Sequence, residues 1–320
     1  QIQGEDSAFS DFEELEIVDE KTVVVHLSEP NTEFIYELTC AIIPQANEAN
    51  VNSAPIGTGP FKFVSFTPGE SIVVEKYEGY WKEGLPYLDQ VTFKVETDAN
   101  TALYELNAGT LDIYQYLTED QVSTLNDNFN ILVGSVNYVQ ALFLNNAVEP
   151  FNDVRVRQAV YYAIDRDLIN DFLFEGKSHI IGTNMIPAAE FYYNADTETT
   201  YSRDLDKAHE LLEEAGYPNG FSFTITVPNN YAPHEGTAQI IADQLSDVGI
   251  QADINLVEFN TWYSDAYVDR NYEATVVAVD GRLAPNSWFG KNLSTASNNF
   301  TNYSNPEFDE LYNKAMAAMT

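Results

Sequence analysis

Cysteine, basic side chains and long apolar runs are all scarce in this sequence. Cys40 is the only cysteine among 320 residues, so the chain forms no internal disulfide and no zinc site of the multi-cysteine kind. No run of about 18 apolar residues occurs, which argues against a membrane-spanning helix. The 15 Lys and Arg face 50 Asp and Glu, for a formal net charge of −35. Such a chain lacks the basic surface that nucleic acids and anionic membranes require.

Sequence signatures of catalysis are missing as well. The patterns G-x-S-x-G, H-E-x-x-H and G-x-x-x-x-G-K-[ST] do not occur. Four histidines, at positions 26, 179, 209 and 234, are too scattered to form a spaced metal cluster. We therefore expect no enzymatic activity, no metal site and no cofactor.

The first part of the chain carries strand signals. Residues 61–67 and 71–77 flank the turn Pro68-Gly69 and predict a β-hairpin. Further strands are predicted over 21–28 and 91–95, and short apolar strands over 111–114 and 141–144.

The second part alternates helix and strand signals. Helices are predicted to begin at Asn152 or Asp153, at Asp165 and at Asp204, where a side chain can cap the first turn. Helix 234–248 precedes strand 250–257, and helix 260–270 precedes strand 274–279. This rhythm predicts an α/β fold with a mixed or parallel sheet covered by helices, beginning near 146–152.

Four separated passages carry a family resemblance. They are G-T-G-P-F at 57–61 with Y-W at 80–81 and P-Y-L-D at 86–89, P-F-N-D-V-R-V-R-Q-A at 150–159, D-K-A with L-L and A-G-Y at 206–217, and N-Y-S-N-P-E-F-D at 302–309. In this order they resemble passages of the extracellular solute-binding proteins of peptide and nickel ABC importers, family 5.

The resemblance implies a two-lobe fold of the periplasmic-binding-protein type (type II, cluster C-like) with mixed sheets. Because such proteins usually carry further residues at both ends, it also implies an incomplete first lobe. We expect residues 1–55 to form a partial β-rich subdomain, 56–149 part of lobe I, and 150–320 most of lobe II.

The resemblance also implies a role. It predicts a monomeric receptor that captures peptides between its lobes and delivers them to the membrane permease of an ABC transporter. The protein would be extracellular or periplasmic, and lipid-anchored through an N-terminal segment absent here. A receptor for nickel or a metal–chelator complex is the alternative within this fold. A secreted acidic hydrolase is the alternative from another class.

Candidate ligand-binding residues follow from the resemblance and from the tendency of open α/β sheets to bind ligands beyond the carboxyl ends of their strands. Asp280 lies near the place where peptide-binding members hold the ligand amine, and Arg282 could pair with a ligand carboxylate. Alternatively, Asp280 and Arg282 form a surface ion pair of little consequence. The full set is Asn145, Asn184, Met185, Tyr231, His234, Phe259, Trp262, Asp280, Gly281, Arg282 and Trp288.

Overall fold

A computed structural model describes residues 12–38, 41–115, 117–229, 231–281 and 286–318. Cys40 and Arg282 lie outside the described residues. The described chain divides into two compact units, one within 39–134 and the other formed by 12–38 together with 135–318. This division differs from the predicted one, since residues 12–38 and the strand that precedes 150 are grouped with the α/β part.

The β-rich regions contain five strands. Strands β1 (Phe12–Ile17) and β2 (Val23–Leu27) pair antiparallel, and helix α1 (Phe34–Glu37) follows them. In the unit within 39–134, strands β3 (Phe61–Thr67), β4 (Ser71–Lys76) and β5 (Gln90–Lys94) form an antiparallel meander. The predicted hairpin is confirmed, and Gly69 takes the left-handed conformation (φ +74°) in its turn.

The described part of this unit also contains a 3-10 helix, Gln45–Asn50, and two α-helices. Helix α2 (Ala99–Ala108) begins after Asp98, whose carboxylate accepts a hydrogen bond from the Thr101 amide, and ends at the left-handed Gly109. Helix α3 (Glu119–Ser123) has a capping box formed by Thr118 and Gln121. The strand predicted over 111–114 is wrong, because these residues pair with no other described strand.

The α/β unit contains the remaining elements. Its strands are β6 (Tyr138–Leu144), β7 (Ser222–Pro228), β8 (Gln251–Val257) and β9 (Ala274–Asp280). Its helices are α4 (Val154–Ala163), α5 (Arg166–Phe174), α6 (Leu205–Glu214), α7 (Ala232–Ser246), α8 (Phe259–Trp262), α9 (Asn286–Phe289) and α10 (Pro306–Met316). A π-helical segment, Tyr263–Val268, continues α8. The predicted caps Asp153, Asp165 and Asp204 each accept a hydrogen bond from an amide in the first turn.

The sheet of this unit is mixed and has the strand order β6-β9-β7-β8. Strands β9, β7 and β8 run parallel, and β6 runs antiparallel to β9. The predicted α/β fold class is thereby confirmed.

One main core lies between the sheet and its helices. The apolar face of α4 is buried completely, with Val156, Ala159, Val160 and Ala163 inaccessible to solvent. These side chains pack in one cluster with Ile225 on β7. Each fully buried Val or Ile side chain contributes roughly 1.5–3 kcal/mol relative to exposure, so this packing fixes the sheet that carries the candidate site. Among the described residues, no helix is long and apolar enough to cross a membrane.

Candidate functional site

The four-stranded sheet reverses its strand order at β7. β7 leads through α7 to β8 on one side, whereas β9, which comes next along the chain, lies on the other side of β7. β7 pairs with β8 from Ser222 to Pro228, but with β9 only at Ile225 and Thr226. The pairing of β7 and β9 therefore ends well before the carboxyl end of β9. In open α/β sheets, the point where the strand order reverses is where ligands bind.

His234 links the first turn of α7 to β9 at this point. The Ala278 amide donates a hydrogen bond to His234 Nε2 at 3.0 Å, and the histidine is only 5% exposed. Because Nε2 accepts, the neutral ring carries its proton on Nδ1. Nδ1 is buried and has no hydrogen-bond partner among the described residues. Burial lowers the pKa of His234 to about 4, so the ring is neutral at pH 7.

Two aromatic side chains follow the ends of β7 and β8. Tyr231 is 41% exposed, and its ring packs edge-to-face against His234 with centroids 5.1 Å apart. Phe259 is 40% exposed and stacks on Trp262 at 5.8 Å. Trp262 itself is buried and donates its indole N–H to Thr275 Oγ1 at 2.9 Å. Tyr231 and Phe259 thus present partly exposed faces, whereas Trp262 and His234 support them.

The end of β9 is held by backbone contacts. The Asp280 carbonyl accepts a hydrogen bond from the Trp288 indole N–H, and the Gly281 amide donates to the Asn137 carbonyl. A Cβ atom on Gly281 would lie 2.5 Å from Cγ2 of Ile186 and 3.0 Å from the Asn137 carbonyl oxygen. Any side chain at this position would therefore require the strand or the loop to shift. The Asp280 side chain is exposed, and Trp288 is buried.

The loop that contains Asn184 and Met185 packs against this strand end. Met185 is 2% exposed and lies in a small core cluster with Val139, Ile186 and Ala189. Asn184 is half-buried. Met185 therefore holds the loop in place, and Asn184 is the member of the pair with a partly accessible side chain.

Asn145 is separated from the other candidates. β6 runs antiparallel to β9, so its carboxyl end lies beside the start of β9, at the opposite end of the strands from Asp280. Asn145 is 1% exposed, and its amide group donates to the carbonyls of Arg270 and Tyr272 and accepts from Asn302 Nδ2. These contacts join loops at that end and give the side chain a structural role.

Sequence reasoning missed two neighbours of the site, Tyr267 and Lys291. Lys291 Nζ lies 5.0 Å from the centre of the Trp288 ring and 3.4 Å from the Tyr267 hydroxyl. The spacing of Trp288 and Lys291, three residues apart in a helical segment, was the available signal. Among the residues that the structure describes, no group of three or more His, Cys, Asp or Glu could hold a metal ion.

The comparison with sequence families is decisive for the class of protein. The model of bacterial extracellular solute-binding proteins, family 5 Middle, matches residues 2–301. The chain belongs to this family.

Similar proteins among curated sequences and solved structures include solute-binding proteins. The glutathione-binding protein GsiB of Salmonella choleraesuis is 33% identical over 252 residues, which are 76% of this chain and 49% of that protein. The chain thus spans about half the length of the curated relatives it matches. AgaA from A. tumefaciens R10, solved in complex with agropinic acid, is 29% identical in sequence to this chain and superimposes with a TM-score of 0.77. The alignment covers 98% of this chain and 67% of AgaA.

A third neighbour shows the fold alone. DppA from Helicobacter pylori, solved with the peptide STSA, is 24% identical with a TM-score of 0.77, and the alignment covers 98% of this chain and 64% of that one. The predicted periplasmic-binding-protein-like fold is thereby confirmed. Family 5 proteins are extracellular solute-binding proteins, and this chain matches the Middle model of that family.

Proposed function

We propose that this chain is part of the receptor of an ABC importer and that its ligand is a peptide. The proposal depends on one feature of the sheet. β7 and β9 stop pairing beside His234, which is buried and neutral and whose Nδ1–H has no hydrogen-bond partner among the described residues. A fixed donor, a carboxylate at Asp280 and partly exposed aromatic faces suit a zwitterionic ligand with apolar side chains. The similarity to a glutathione-binding protein supports the peptide class.

The proposal assigns roles to the described candidates. Asp280 pairs with the ligand amine, Tyr231 and Phe259 contact its apolar groups, and His234 donates to one of its oxygens. Met185, Trp262, Gly281 and Trp288 hold these groups in position, and Asn184 contacts the ligand from the adjoining loop. Arg282, outside the described residues, stays a candidate for a ligand carboxylate.

The remaining parts of the proposal concern the whole protein. It acts as a monomer, catalyses no reaction, binds no cofactor, and delivers its ligand to the permease subunits. It is extracellular or periplasmic and is attached to the cell surface by a lipid. These statements rest on membership in family 5.

Thermal-shift measurements test the ligand class. A ligand that binds only the folded state stabilises it by RT ln(1 + [L]/Kd), about 2.7 kcal/mol at 100 times Kd. We expect glutathione or one of a panel of di- and tripeptides to raise the melting temperature, and Ni²⁺ with L-histidine or an oligosaccharide panel to leave it unchanged. A shift with nickel and histidine alone would favour the metal-chelate receptor instead.

An Asp280→Asn variant tests the site. Loss of a charged partner costs about 1.5–3 kcal/mol of binding free energy, so we expect a tenfold or greater rise in Kd for the peptide identified above. N-acetylated peptide should bind the wild type and the variant equally weakly. Unchanged affinity in the variant would remove Asp280 from the site.

A further inference from the structure

Lys291 is a lysine without a carboxylate partner among the described residues. Six other lysines each lie within 4.0 Å of an Asp or Glu oxygen; they are Lys62, Lys76, Lys94, Lys177, Lys207 and Lys314. Lys21 and Lys82 likewise have no carboxylate partner in the described part of the chain. What distinguishes Lys291 is that it is half-buried and that its ammonium group contacts two aromatic side chains.

Two aromatic side chains hold the ammonium group. The Lys291 Nζ atom lies 5.0 Å from the Trp288 ring centre, a cation–π contact, and 3.4 Å from the Tyr267 hydroxyl oxygen. Lys291 is half-buried. Its charge is therefore less completely hydrated than that of a surface lysine, and it attracts an anion more strongly.

Both aromatic side chains are themselves fixed. The Trp288 indole donates to the carbonyl of Asp280, which ties this ring to the end of β9. Tyr267 lies in the π-helical segment and packs against Phe300 at 5.1 Å and against Tyr263, stacked at 5.5 Å. π-helical turns occur frequently at functional sites. The ammonium group is thus held near the strand end that carries Asp280.

The chemistry of the pair suits an anion. A lysine ammonium has three donors and no acceptor, and a tyrosine hydroxyl that accepts from it can still donate its own proton. The two groups can therefore donate side by side to one carboxylate, with charge assistance from lysine. An anion-binding site of this kind, lined by aromatic side chains, carries a positive charge, whereas Asp280 carries a negative one.

We propose that Lys291 and the Tyr267 hydroxyl form a subsite for a carboxylate of the bound ligand. This inference rests on the peptide-binding function proposed above and adds a specificity determinant to the same site. The carboxylate comes either from the C-terminus of the peptide or from an acidic side chain. The two sources share the same chemistry, and the experiment separates them.

The test is calorimetry on a Lys291→Met variant with four tripeptides. They are Ala-Glu-Ala and Ala-Gln-Ala, each as free acid and as C-terminal amide. The chain offers a matched control, since Lys82 Nζ lies 4.9 Å from the Trp81 ring centre in the unit within 39–134 and also has no carboxylate partner in the described structure. Lys82→Met removes the same charge from the same kind of contact.

We expect Lys291→Met to weaken the affected peptides by about 10- to 100-fold, the range for a lost charge-assisted hydrogen bond. Loss confined to the free acids assigns the C-terminal carboxylate, and loss confined to the Glu peptides assigns the side chain. Lys82→Met should bind all four as the wild type does, and Lys291→Arg should retain most of the affinity.

Two results would overturn the inference while leaving the peptide receptor intact. One is wild-type affinity of Lys291→Met for all four peptides, and the other is an equal loss for all four, which would mark a structural role. A wild-type chain that binds no peptide in the thermal-shift panel would refute the proposed function, and this subsite with it. Melting temperatures of the variants verify that each one is folded.

Discussion

A neutral imidazole has two chemically different nitrogens, and at His234 the fold determines which of them carries the proton. The Ala278 amide donates to Nε2, so protonation of Nε2 would set two donors against each other. Burial lowers the pKa of His234 to about 4. In the unfolded chain the pKa is about 6.5. The native state therefore binds fewer protons than the unfolded state between these two values.

This difference predicts a pH dependence with a definite sign. Stability attributable to His234 is fully present above about pH 6.5 and falls as the pH is lowered toward 4, because the unfolded state takes up the proton first. Between pH 7 and pH 5 we expect a loss of about 2 kcal/mol from this residue. His234→Gln cannot titrate and retains an acceptor near the position of Nε2.

Urea unfolding of the wild type and His234→Gln at pH 7 and pH 5 measures the difference. The many carboxylates titrate in both proteins, so their contribution cancels when the two pH responses are subtracted. Equal pH responses would contradict the low pKa. Histidine NMR signals of the native wild type provide a second measurement, since the His234 ring should remain mostly neutral at pH 5.

At the scale of elements, the end of β9 depends on a close approach between strand and loop. Ile186 from the loop next to Met185 lies where a side chain on residue 281 would project. This contact sets the place at which the chain leaves the sheet beside Asp280. The loop and the strand are therefore mechanically linked at the candidate site.

A Gly281→Ala substitution tests this link. The added methyl group would lie 2.5 Å from Ile186 Cγ2 and 3.0 Å from a backbone carbonyl, so strand or loop must shift. Such overpacking costs about 1–3 kcal/mol, and we expect weaker peptide binding as well. Gly57→Ala is the control, because no atom lies within 4 Å of its Cβ position. Equal unfolding free energies for both variants in urea titrations would contradict the packing described here.

At the scale of the whole molecule, charge dominates. The net charge of −35 on 320 residues means that negative side chains repel one another in the compact state. Unfolding moves these charges apart and relieves part of the repulsion. Many of these carboxylates are exposed and only 15 basic residues are available to pair with them. Long-range repulsion of this kind is sensitive to ionic strength.

Salt should therefore stabilise the protein. The Debye length falls from about 10 Å at 0.1 M to about 3 Å at 1 M, which screens repulsion between charges farther apart than contact distance. We expect the melting temperature to rise as NaCl increases from 0.1 M to 1 M, with most of the gain at the lower concentrations. Sucrose at matched osmolality serves as an uncharged control. A melting temperature that falls or stays constant with NaCl would show that local ion pairs outweigh the net charge.

Short-range features of this fold follow from the sequence alone. Asp153, Asp165 and Asp204 cap helices as predicted, because a side-chain oxygen beside free amides needs no distant partner. The hairpin at Pro68-Gly69 and the helix–strand alternation after 204 follow from equally short-range rules. Order along the chain also placed Tyr231 and Phe259 shortly after the ends of β7 and β8, and Asp280 at the end of β9.

Strand direction and strand partners were decided only by the tertiary structure. Asn145 follows the last residue of β6 and Asp280 is the last residue of β9, yet the two strands are antiparallel, so the two residues lie at opposite ends of the paired strands. Residues 111–114 are apolar enough for a strand but have no strand partner in the described structure. The contact of Lys291 with Tyr267 joins residues 24 apart in the chain. Side chains alternate with a period of two along a strand whether it runs parallel or antiparallel and whichever strand it pairs with. The direction and the partner of each strand are therefore visible only in the assembled sheet.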